Sequence, residues 1–416
     1  MTPRATTAAI EIWEKWQAQG ATLPLDRIVN EEVRARKSLN SRERRWLTDA
    51  IYRNVRLLTR QQALCKIMGM EPTAESFLRL WDMETSYDPL KQEEMKAAMA
   101  QLPTKEEDPA GYLRVTLSFP EAMASEIEAL VGDEAVEAGE ALNEQAPTVL
   151  RVNSLKSKPD RVLKQVEGSF PTEYSPWGVV LAKRVPIQGI PGYKEGRFEV
   201  QEEGSQLAVM FADAKPNETV IEIGAGGGGK TLGLAATMNN TGKIFALDTS
   251  ALRLASLEKR LPRAGVTIVQ TVLLTANEQG VWTSAPWSVG GKYERGANCV
   301  FIDAPCTGSG TLRRNPDKKW FGGEIGNYPR LQSILLEQGS HLVKQGGRLI
   351  YITCALERSQ NEDIVEAFLN SPAGKDFKLD AIPSELSAFA EGRYFRSWAH
   401  RHGLDLFFGA RLRRKG

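Results

Sequence analysis

Thr219-Val220-Ile221-Glu222-Ile223 runs directly into Gly224-Ala225-Gly226-Gly227-Gly228-Gly229-Lys230-Thr231, and this stretch decides the fold. The first five residues are mostly β-branched and apolar, which predicts a buried strand. The glycines predict a tight turn where the backbone can approach a ligand closely, and Lys230 begins a predicted helix. A strand, a glycine turn and a helix in this order are typical of the first unit of a nucleotide-binding or nucleoside-binding α/β domain.

Strands and helices alternate from Pro216 onward, which predicts a largely parallel, doubly wound, Rossmann-like sheet. Leu404–Leu412 predicts a last strand, for which an antiparallel direction is one option. The other predicted strands are Lys243–Leu247, Val266–Val269, Cys299–Ile302 and Gly347–Ile352, and the predicted helices begin at Lys230 or cover 251–261, 328–343 and 359–369.

Two further regions precede this domain. Apolar residues recur at helical spacing from Ala8 to about Asn143, and Leu39-Asn40-Ser41-Arg42-Glu43-Arg44 is typical of a capped helix start. Short β-like runs broken by Pro and Gly then indicate a small α+β segment. We therefore predict an all-helical domain over 1–143, a small α+β subdomain over 144–206 and a catalytic domain over 207–416.

The overall net charge of +1 conceals a strong asymmetry. Residues 71–150 contain 18 acidic against 5 basic side chains, so the rest of the chain carries an excess of positive charge. The basic residues are densest in 34–60 and 313–319, which are either solvated faces or nucleic-acid contacts. The chain lacks an apolar run of membrane-spanning length and has no CxxC pair among its 4 cysteines. We expect a cytoplasmic protein with reduced thiols, no metal site and no membrane association.

The glycine loop is compatible with two kinds of ligand. Read as G-x-x-x-x-G-K-T it is a P-loop, in which Lys230 and Thr231 would serve phosphates and magnesium. Asp248, however, ends the second predicted strand 24 residues after Gly224, where a carboxylate can bind both hydroxyls of a ribose. A P-loop does not need that carboxylate. Asp248 therefore favours S-adenosylmethionine as the cofactor.

Two cysteines follow predicted buried strands, Cys306 three residues after Asp303 and Cys354 directly after Thr353. The carboxyl ends of parallel strands meet at one edge of a sheet, so these groups should lie together. Addition of a thiolate to carbon 6 of cytosine makes carbon 5 nucleophilic enough to attack a methyl sulfonium. A second thiol can assist release, and Asp303 can hold the amino and N3 edge of the base. Two small, inert, buried cysteines are the alternative.

These residues resemble the two signature motifs of the Sun/Fmu-type RNA cytosine-5 methyltransferases. The matching segments are Asp303-Ala304-Pro305-Cys306-Thr307-Gly308-Ser309-Gly310 and Thr353-Cys354, the latter followed by Asn361-Glu362. In that family the Thr-Cys cysteine is the nucleophile and the Pro-Cys cysteine aids product release. The resemblance thus implies that Cys354 attacks and Cys306 frees the enzyme. DNA cytosine methyltransferases attack with the Pro-Cys residue instead, so Cys354 favours RNA as the substrate.

The resemblance extends along most of the chain. Residues 150–156, 201–206 and 402–408 are similar to the family's small subdomain, its entry into the catalytic domain and its last strand. Segment 26–60 is similar to the NusB-like helical RNA-binding domain of the ribosomal RNA small-subunit methyltransferase B subgroup. The resemblance implies ribosomal RNA as the substrate and no obligatory protein partner.

The cofactor site can be carried over residue by residue, although the family pattern has Asp, Cys and Pro where this chain has Glu222, Gly224 and Gly227. Thr275 stands where the third strand usually ends in Asp, and Gln360 stands where Glu is usual. The implied cofactor-binding residues are Glu222, Gly224, Ala225, Gly226, Gly227, Gly228, Gly229, Lys230, Asp248, Thr275 and Asp303. A loop with four consecutive glycines costs more entropy to order, which suggests a weaker affinity for the cofactor.

Basic residues close to Cys306 are the expected contacts for RNA phosphates, with Trp320 as a stacking platform or a core residue. They are Arg313, Arg314, Lys318 and Lys319. A catalytically weak or silent RNA-binding ribosome-assembly factor of the same fold remains an alternative. The altered loop supports it and the presence of both cysteines opposes it.

Overall fold

The computed structural model describes residues 2–20, 23–183, 185–275, 296–321 and 327–416. Its helices are α1 (Pro3–Gln19), α2 (Leu25–Ala35), α3 (Ser41–Arg56), α4 (Leu58–Ile67), α5 (Ala74–Thr85), α6 (Pro89–Met99), α7 (Pro109–Gly111), α8 (Glu121–Val131), α9 (Ala135–Asn143), α10 (Pro159–Leu163), α11 (Glu203–Ala212), α12 (Gly229–Thr237), α13 (Ala251–Ala264), α14 (Lys318–Phe321), α15 (Tyr328–Ser340), α16 (Glu362–Asn370) and α17 (Ala399–His402). Its strands are β1 (Thr148–Val152), β2 (Phe170–Pro171), β3 (Gly178–Leu181), β4 (Phe198–Val200), β5 (Thr219–Ile223), β6 (Lys243–Asp248), β7 (Val269–Leu273), β8 (Ala297–Asp303), β9 (Val343–Thr353), β10 (Phe377–Leu379), β11 (Ala390–Glu391), β12 (Tyr394–Ser397) and β13 (Phe407–Arg414).

The chain divides into two compact units. One consists of Met1–Gln145 and Thr311–Gly323, and the other of Ala146–Gly310 and Glu324–Gly416. The first unit is helical, and the second contains both sheets. The sequence analysis predicted continuous segments, so it did not anticipate that 311–323 belongs with the helices.

Helix α3 of the helical unit begins at the predicted capping residues. At the start of α3 the Asn40 side chain accepts a hydrogen bond from the Glu43 amide, and the Glu43 carboxylate accepts one from the Asn40 amide. This reciprocal pair satisfies two amides that have no partner inside the helix. Trp13 and Trp16 of α1 lie in the core of this unit, which confirms the predicted helical spacing of the apolar residues.

The second unit carries two sheets. The smaller is antiparallel with the order β2-β3-β1-β4. The larger has the order β11-β12-β13-β9-β8-β5-β6-β7, with β10 paired to β13. Strands β7, β6, β5, β8 and β9 are mutually parallel, whereas β13 runs antiparallel to β9. This arrangement confirms the doubly wound α/β prediction and resolves the direction of the last strand.

Alternate residues of the central strands face opposite layers, which explains their nearly continuous apolar sequences. Val220 and Phe301 pack with α11 and α12, whereas Ile221 and Ile302 pack with α15 and α16. The chain passes from β5 through β6 to β7 and returns to the other side of β5 as β8. This reversal is the topological switch point at which such sheets bind ligands.

The predicted strand Val266–Val269 is wrong, because the strand begins only at Val269. Gly265 ends α13 with a φ of 73°, and the Val266 amide donates to the Leu261 carbonyl at 3.0 Å. These residues therefore belong to the cap of the helix, where left-handed glycine satisfies the last carbonyls.

Candidate active site

The site is built where β5, β8 and β9 end side by side. Ile223 is paired with Ile302, and Asp303 with Ile352. The chain leaves these strands into the glycine loop, the Pro-Cys loop and the Thr-Cys loop respectively. Parallel pairing alone thus brings the three sequence motifs to one edge of the sheet.

The two predicted catalytic cysteines meet there. Their sulfur atoms lie 3.5 Å apart, and both residues are partly exposed. The Gly310 amide donates to the Cys354 carbonyl at 2.9 Å, and the Ala304 amide donates to the Ile352 carbonyl at the same distance. Cys65 and Cys299, in contrast, are buried elsewhere. Only the two cysteines of the sequence motifs therefore lie together and partly exposed at this edge of the sheet.

The pKa values of the two thiols are shifted in opposite directions. The hydrogen bond between the two sulfur atoms lowers the pKa of Cys306, with burial opposing and the backbone amides of Cys354 and Gly308 adding to the effect. The same hydrogen bond, together with burial and the neighbouring charges of Cys306 and Asp303, raises the pKa of Cys354 well above its usual range. The first negative charge therefore resides on Cys306.

A hydrogen-bond network fixes the loops that carry these thiols. One carboxylate oxygen of Glu357 accepts from the Thr307 hydroxyl, the Ser309 hydroxyl and the Gln360 amide group, each at 2.8 Å. The Ser309 hydroxyl also accepts from the Leu356 amide at 2.8 Å. Two loops from different strands are thus joined at several points, which limits the movement of their sulfur atoms.

A cavity of about 590 Å³ opens beside the cysteines, a size typical of small-molecule sites. Cys354 lines it, whereas Cys306 is not among its lining residues. Most of the predicted cofactor residues line it as well: Gly224, Ala225, Gly226, Gly227, Gly229, Lys230, Asp248 and Asp303.

Several lining residues were missed by the sequence analysis. Leu331 and Leu335 are one helical turn apart on α15, a spacing that predicts a shared face but no ligand. Gln201 and Phe407 lie in segments that carried the family resemblance without an assigned role. The side chains of Leu274, Leu331, Leu335 and Phe407 give the cavity an apolar wall, as expected for a purine ring.

Asp248 anchors the glycine loop from the end of β6. One carboxylate oxygen accepts from the Gly226 amide at 2.8 Å, and the other accepts from the Ser250 amide at 2.7 Å. Each oxygen keeps a further lone pair for a ribose hydroxyl. Asp248 is 5% exposed and borders the cavity, in agreement with the predicted role.

Arginine side chains order the remainder of this loop. Arg151 of the small sheet donates to the Gly229 carbonyl at 2.6 Å and to the Gln201 side chain at 2.6 Å. Arg260 of α13 donates to the Gly227 carbonyl. The entropy cost that four glycines suggest is therefore offset by contacts from three separate elements.

Glycine is required at two positions of the loop. A Cβ atom on Gly224, which has a φ of +82°, would lie 2.3 Å from the Asp303 carbonyl oxygen. A Cβ atom on Gly228, which has a φ of +84°, would lie 2.2 Å from a methyl carbon of Leu257. The first contact explains how β5 and β8 approach closely enough to share one ligand cavity.

Lys230 connects the cofactor loop to the catalytic edge. Its ammonium lies 2.7 Å from the Asp303 carboxylate and 5.5 Å from the centre of the Phe407 ring. Burial opposes the charge of Lys230, but Asp303 offsets this and raises the pKa of the ammonium. The pair holds the Asp303 carboxylate in place at the mouth of the cavity.

Three predicted cofactor residues do not line the cavity. Gly228 packs behind the loop against Leu257. Thr275 is exposed beyond the end of β7, while Leu274 takes the place at the wall. Glu222 is 1% exposed inside the sheet, where burial raises the pKa of its carboxyl to about 8.

The basic residues expected to contact RNA lie in the helical unit and are not equivalent. The Lys319 ammonium donates to the carbonyls of Leu117 and Ser118 and to the Asn143 side chain at 2.7–3.2 Å, and the residue is 5% exposed. Burial lowers the pKa of Lys319 well below its usual range. Lys319 is therefore a structural residue of this unit, and its predicted phosphate contact is wrong.

The neighbours of Lys319 also differ in how far they are exposed. Arg313 is 6% exposed, which also contradicts a surface role. Arg314 and Lys318 are partly exposed, so their predicted RNA contacts stay predictions. The Trp320 ring nitrogen donates to the Val55 carbonyl at 2.6 Å within the helical unit, which supports packing rather than stacking.

The described residues contain no cluster of three or more histidine, cysteine or acidic side chains that could hold a metal ion. Within the same residues, every helix is too short or too polar to span a bilayer.

The cavity fits an adenosine-type cofactor on three grounds: a glycine cradle that a side chain would fill, a carboxylate for the ribose and an apolar wall. The family model for the 16S rRNA methyltransferase RsmB/F matches residues 209–413. S-Adenosylmethionine is the cofactor of proteins with this fold and family, and Asp248 and the glycine loop are the residues that would hold it here.

Relatives in other organisms have names that agree with this family model. A probable ribosomal RNA small subunit methyltransferase B of Bacillus subtilis is 28% identical over 74% of this chain and 69% of its own length. One from a Synechocystis species is 30% identical over 71% of this chain and 67% of its own length. A Pseudomonas syringae ribosomal RNA small subunit methyltransferase B is 32% identical, and the chain spans 51% of it.

Solved structures extend the match to the helical region. The crystal structure of PH0851 superposes with a TM-score of 0.78 and 27% identity, covering 99% of both chains. A methyltransferase homologue from Pyrococcus horikoshii gives a TM-score of 0.59 at 28% identity over 73% of this chain and 97% of its own. The chain therefore belongs to the 16S rRNA methyltransferase RsmB/F family of S-adenosylmethionine-dependent methyltransferases.

Proposed function

We propose that this protein methylates carbon 5 of a cytosine in small-subunit ribosomal RNA through a covalent adduct on Cys354. The observation that carries the proposal is the pair of sulfur atoms 3.5 Å apart, of which only Cys354 lines the cofactor cavity. A base placed in the cavity mouth would meet the Cys354 sulfur first. Asp303, held by Lys230, borders the same cavity and supports a contact with the amino and N3 edge of that base.

Proton movement between the thiols begins the reaction. Cys354 passes its proton to the Cys306 thiolate along their hydrogen bond as its sulfur adds to carbon 6 of cytosine. Addition makes carbon 5 nucleophilic, and bound S-adenosylmethionine supplies the electrophilic methyl group. The negative charge moves from Cys306 through Cys354 into the ring, so no proton has to be exchanged with solvent at this step.

Release of the product reverses the proton transfer between the two thiols. The carbon 5 proton leaves to solvent, the bond between carbon 6 and sulfur breaks, and Cys306 returns its proton to the departing Cys354 sulfur. The starting state is restored, with a protonated Cys354 and a charged Cys306, and the net reaction liberates one proton. This cycle assigns Cys306 as base during attack and as acid during release.

The test uses ribosomal RNA from cells that lack the gene, labelled S-adenosylmethionine and bisulfite mapping of the product. Label at a cytosine supports the proposal, and transfer to no cytosine overturns it. Cys354→Ala should abolish transfer, whereas Cys306→Ala should accumulate a covalent protein–RNA adduct that resists denaturing electrophoresis. An adduct that survives Cys354→Ala would reverse the two roles. A silent assembly factor would bind the RNA and give neither label nor adduct.

A further inference from the structure

A group of basic side chains surrounds a depression on the small α+β part of the second unit. Lys156, Lys158, Arg161 and Lys164 are all exposed, and they line a depression of about 580 Å³ that contains a single acidic residue, Asp160. The cluster spans 9 residues of sequence, the loop after β1 and helix α10. We refer to these four cations as the α10 basic surface.

The cations of this surface differ in their ion pairing from other cations of the same unit. Arg348 pairs with Glu218, Arg396 with Glu362 and Arg260 with Glu199. Among the described residues, no carboxylate forms an ion pair with any member of the α10 basic surface. Four exposed like charges repel one another, so their grouping is unfavourable unless an anion compensates it.

Lys156 also fixes the position of this surface relative to the cofactor site. Its ammonium donates to the Arg263 carbonyl at 2.6 Å and to the Glu195 carbonyl at 3.0 Å. Arg263 lies in the last turn of α13, and the first turn of the same helix follows Asp248 at the cavity. A helix of 14 residues is roughly 21 Å long. The basic surface therefore stands about one helix length from Asp248 at the cofactor cavity, a distance that about six nucleotides of a helical strand would span.

We infer that the α10 basic surface binds the phosphate backbone of the substrate RNA at a distance from the target cytosine. This inference rests on the proposed function, because it assumes RNA as the substrate. Lysines and an arginine around an open depression, with serine hydroxyls among them, suit the phosphate oxygens that position a strand. The surface would thus increase affinity for RNA regardless of sequence and leave the chemical step unchanged.

The test is a triple variant, Lys158→Ala with Arg161→Ala and Lys164→Ala, which leaves the structural contacts of Lys156 intact. A matched control replaces three exposed cations elsewhere in the same unit, Lys375, Lys378 and Arg393, with alanine. Binding to a small-subunit ribosomal RNA transcript is measured at several salt concentrations. Each phosphate contact contributes about 0.7–0.9 to the slope of log affinity against log salt. Loss of three contacts should therefore lower the slope by about 2–3.

The expected difference in affinity between the wild type and the triple variant follows from that slope. Between 50 and 200 mM salt, the affinity of the wild type should fall about 20- to 40-fold more than that of the triple variant. The KM for RNA should rise while kcat at saturating RNA stays unchanged. An unchanged slope in the triple variant, or an equal change in the control, would overturn the inference. A failure of the proposed function would show itself differently, as absent methyl transfer by the wild type.

RNA length provides a second measurement. Fragments trimmed around the mapped cytosine should bind the wild type and the triple variant equally once fewer than about six nucleotides remain on each side. A difference that persists with such short fragments would mean that the variant had damaged the reaction site itself. A difference seen only with long RNA is the expected result.

Discussion

Glu222 provides the sharpest test of the electrostatics beneath the site. Its carboxyl is buried inside β5, and burial raises its pKa from 4.5 to about 8, with the charges of Asp303 and Asp248 adding to the effect and Thr231 and Lys230 opposing it. The folded state therefore binds a proton that the unfolded chain releases at lower pH. Stability should be greatest below pH 4.5 for this group and should decline as the pH rises to about 8.

The perturbation is Glu222→Gln, which keeps the shape of the protonated side chain and cannot ionise. One pKa unit corresponds to about 1.36 kcal/mol, so the difference between 4.5 and about 8 gives the variant an advantage of roughly 5 kcal/mol above pH 8. At pH 7 the advantage should be about 3 kcal/mol. These are upper values, because relaxation around an ionised carboxylate reduces them.

The assay is urea unfolding between pH 5 and pH 9, reported as the difference in the free energy of unfolding between variant and wild type. That difference should be small at pH 5, grow through pH 8 and then level off. Glu385→Gln removes the same charge from an exposed position and should give a flat line. Parallel behaviour of the two variants would refute the reasoning, since it would mean that Glu222 ionises in the folded protein as readily as a surface residue.

Three further outcomes follow from the geometry of the site and of the helical unit. Cys306 should be alkylated first by iodoacetamide, and Cys354→Ala should raise its pKa because the donated hydrogen bond is lost; a lower pKa in the variant would contradict the charge assignment. Gly224→Ala should lower the free energy of unfolding by at least about 1–2 kcal/mol and should weaken cofactor binding, as measured by calorimetry. Gly227→Ala is the control and should be tolerated, because its Cβ atom would meet nothing closer than 3.7 Å. Lys319→Met should destabilise the protein by about 1–3 kcal/mol in chemical denaturation, because the oxygens that accept from its ammonium would each lose a hydrogen bond. The matched control is Lys318→Met, at the preceding, partly exposed lysine. Equal stability of both variants would be inconsistent with a structural role of Lys319.

The sequence predicted the meeting of the motifs because it depends only on strand order. Once 219–223, 299–302 and 347–352 are identified as parallel strands, the groups that follow them must share an edge. The capped start of α3 was predictable for the same reason, since Asn40 and Glu43 act on their own backbone. Local patterns that act over a few residues are those that sequence reasoning recovers.

Contacts between residues that lie far apart in the chain could not be predicted from such local patterns. Segment 313–319 looks like a basic surface next to a catalytic loop, but the ammonium of Lys319 donates to carbonyl groups that lie 201 and 202 residues away in the chain. Likewise, the four-glycine loop suggests weak order, and only the structure shows Arg151 and Arg260 holding its carbonyls. In both places the sequence neighbours of a residue do not reveal partners that are distant in the chain, and the weaker affinity for the cofactor stays a prediction.

Gln360 shows how a departure from the family pattern can preserve the site. Its side chain donates to Glu357 at 2.8 Å and to the Thr307 hydroxyl at 3.1 Å, and it accepts from the Thr307 amide at 3.1 Å and from Gln332 at 3.2 Å. A glutamate at this position could accept both of the latter hydrogen bonds but could donate neither of the former while ionised. It would also place a second carboxylate beside Glu357, and only one of two such neighbours stays charged. An amide at position 360 therefore lets Glu357 remain the single anionic centre of the network that holds the two cysteine loops together.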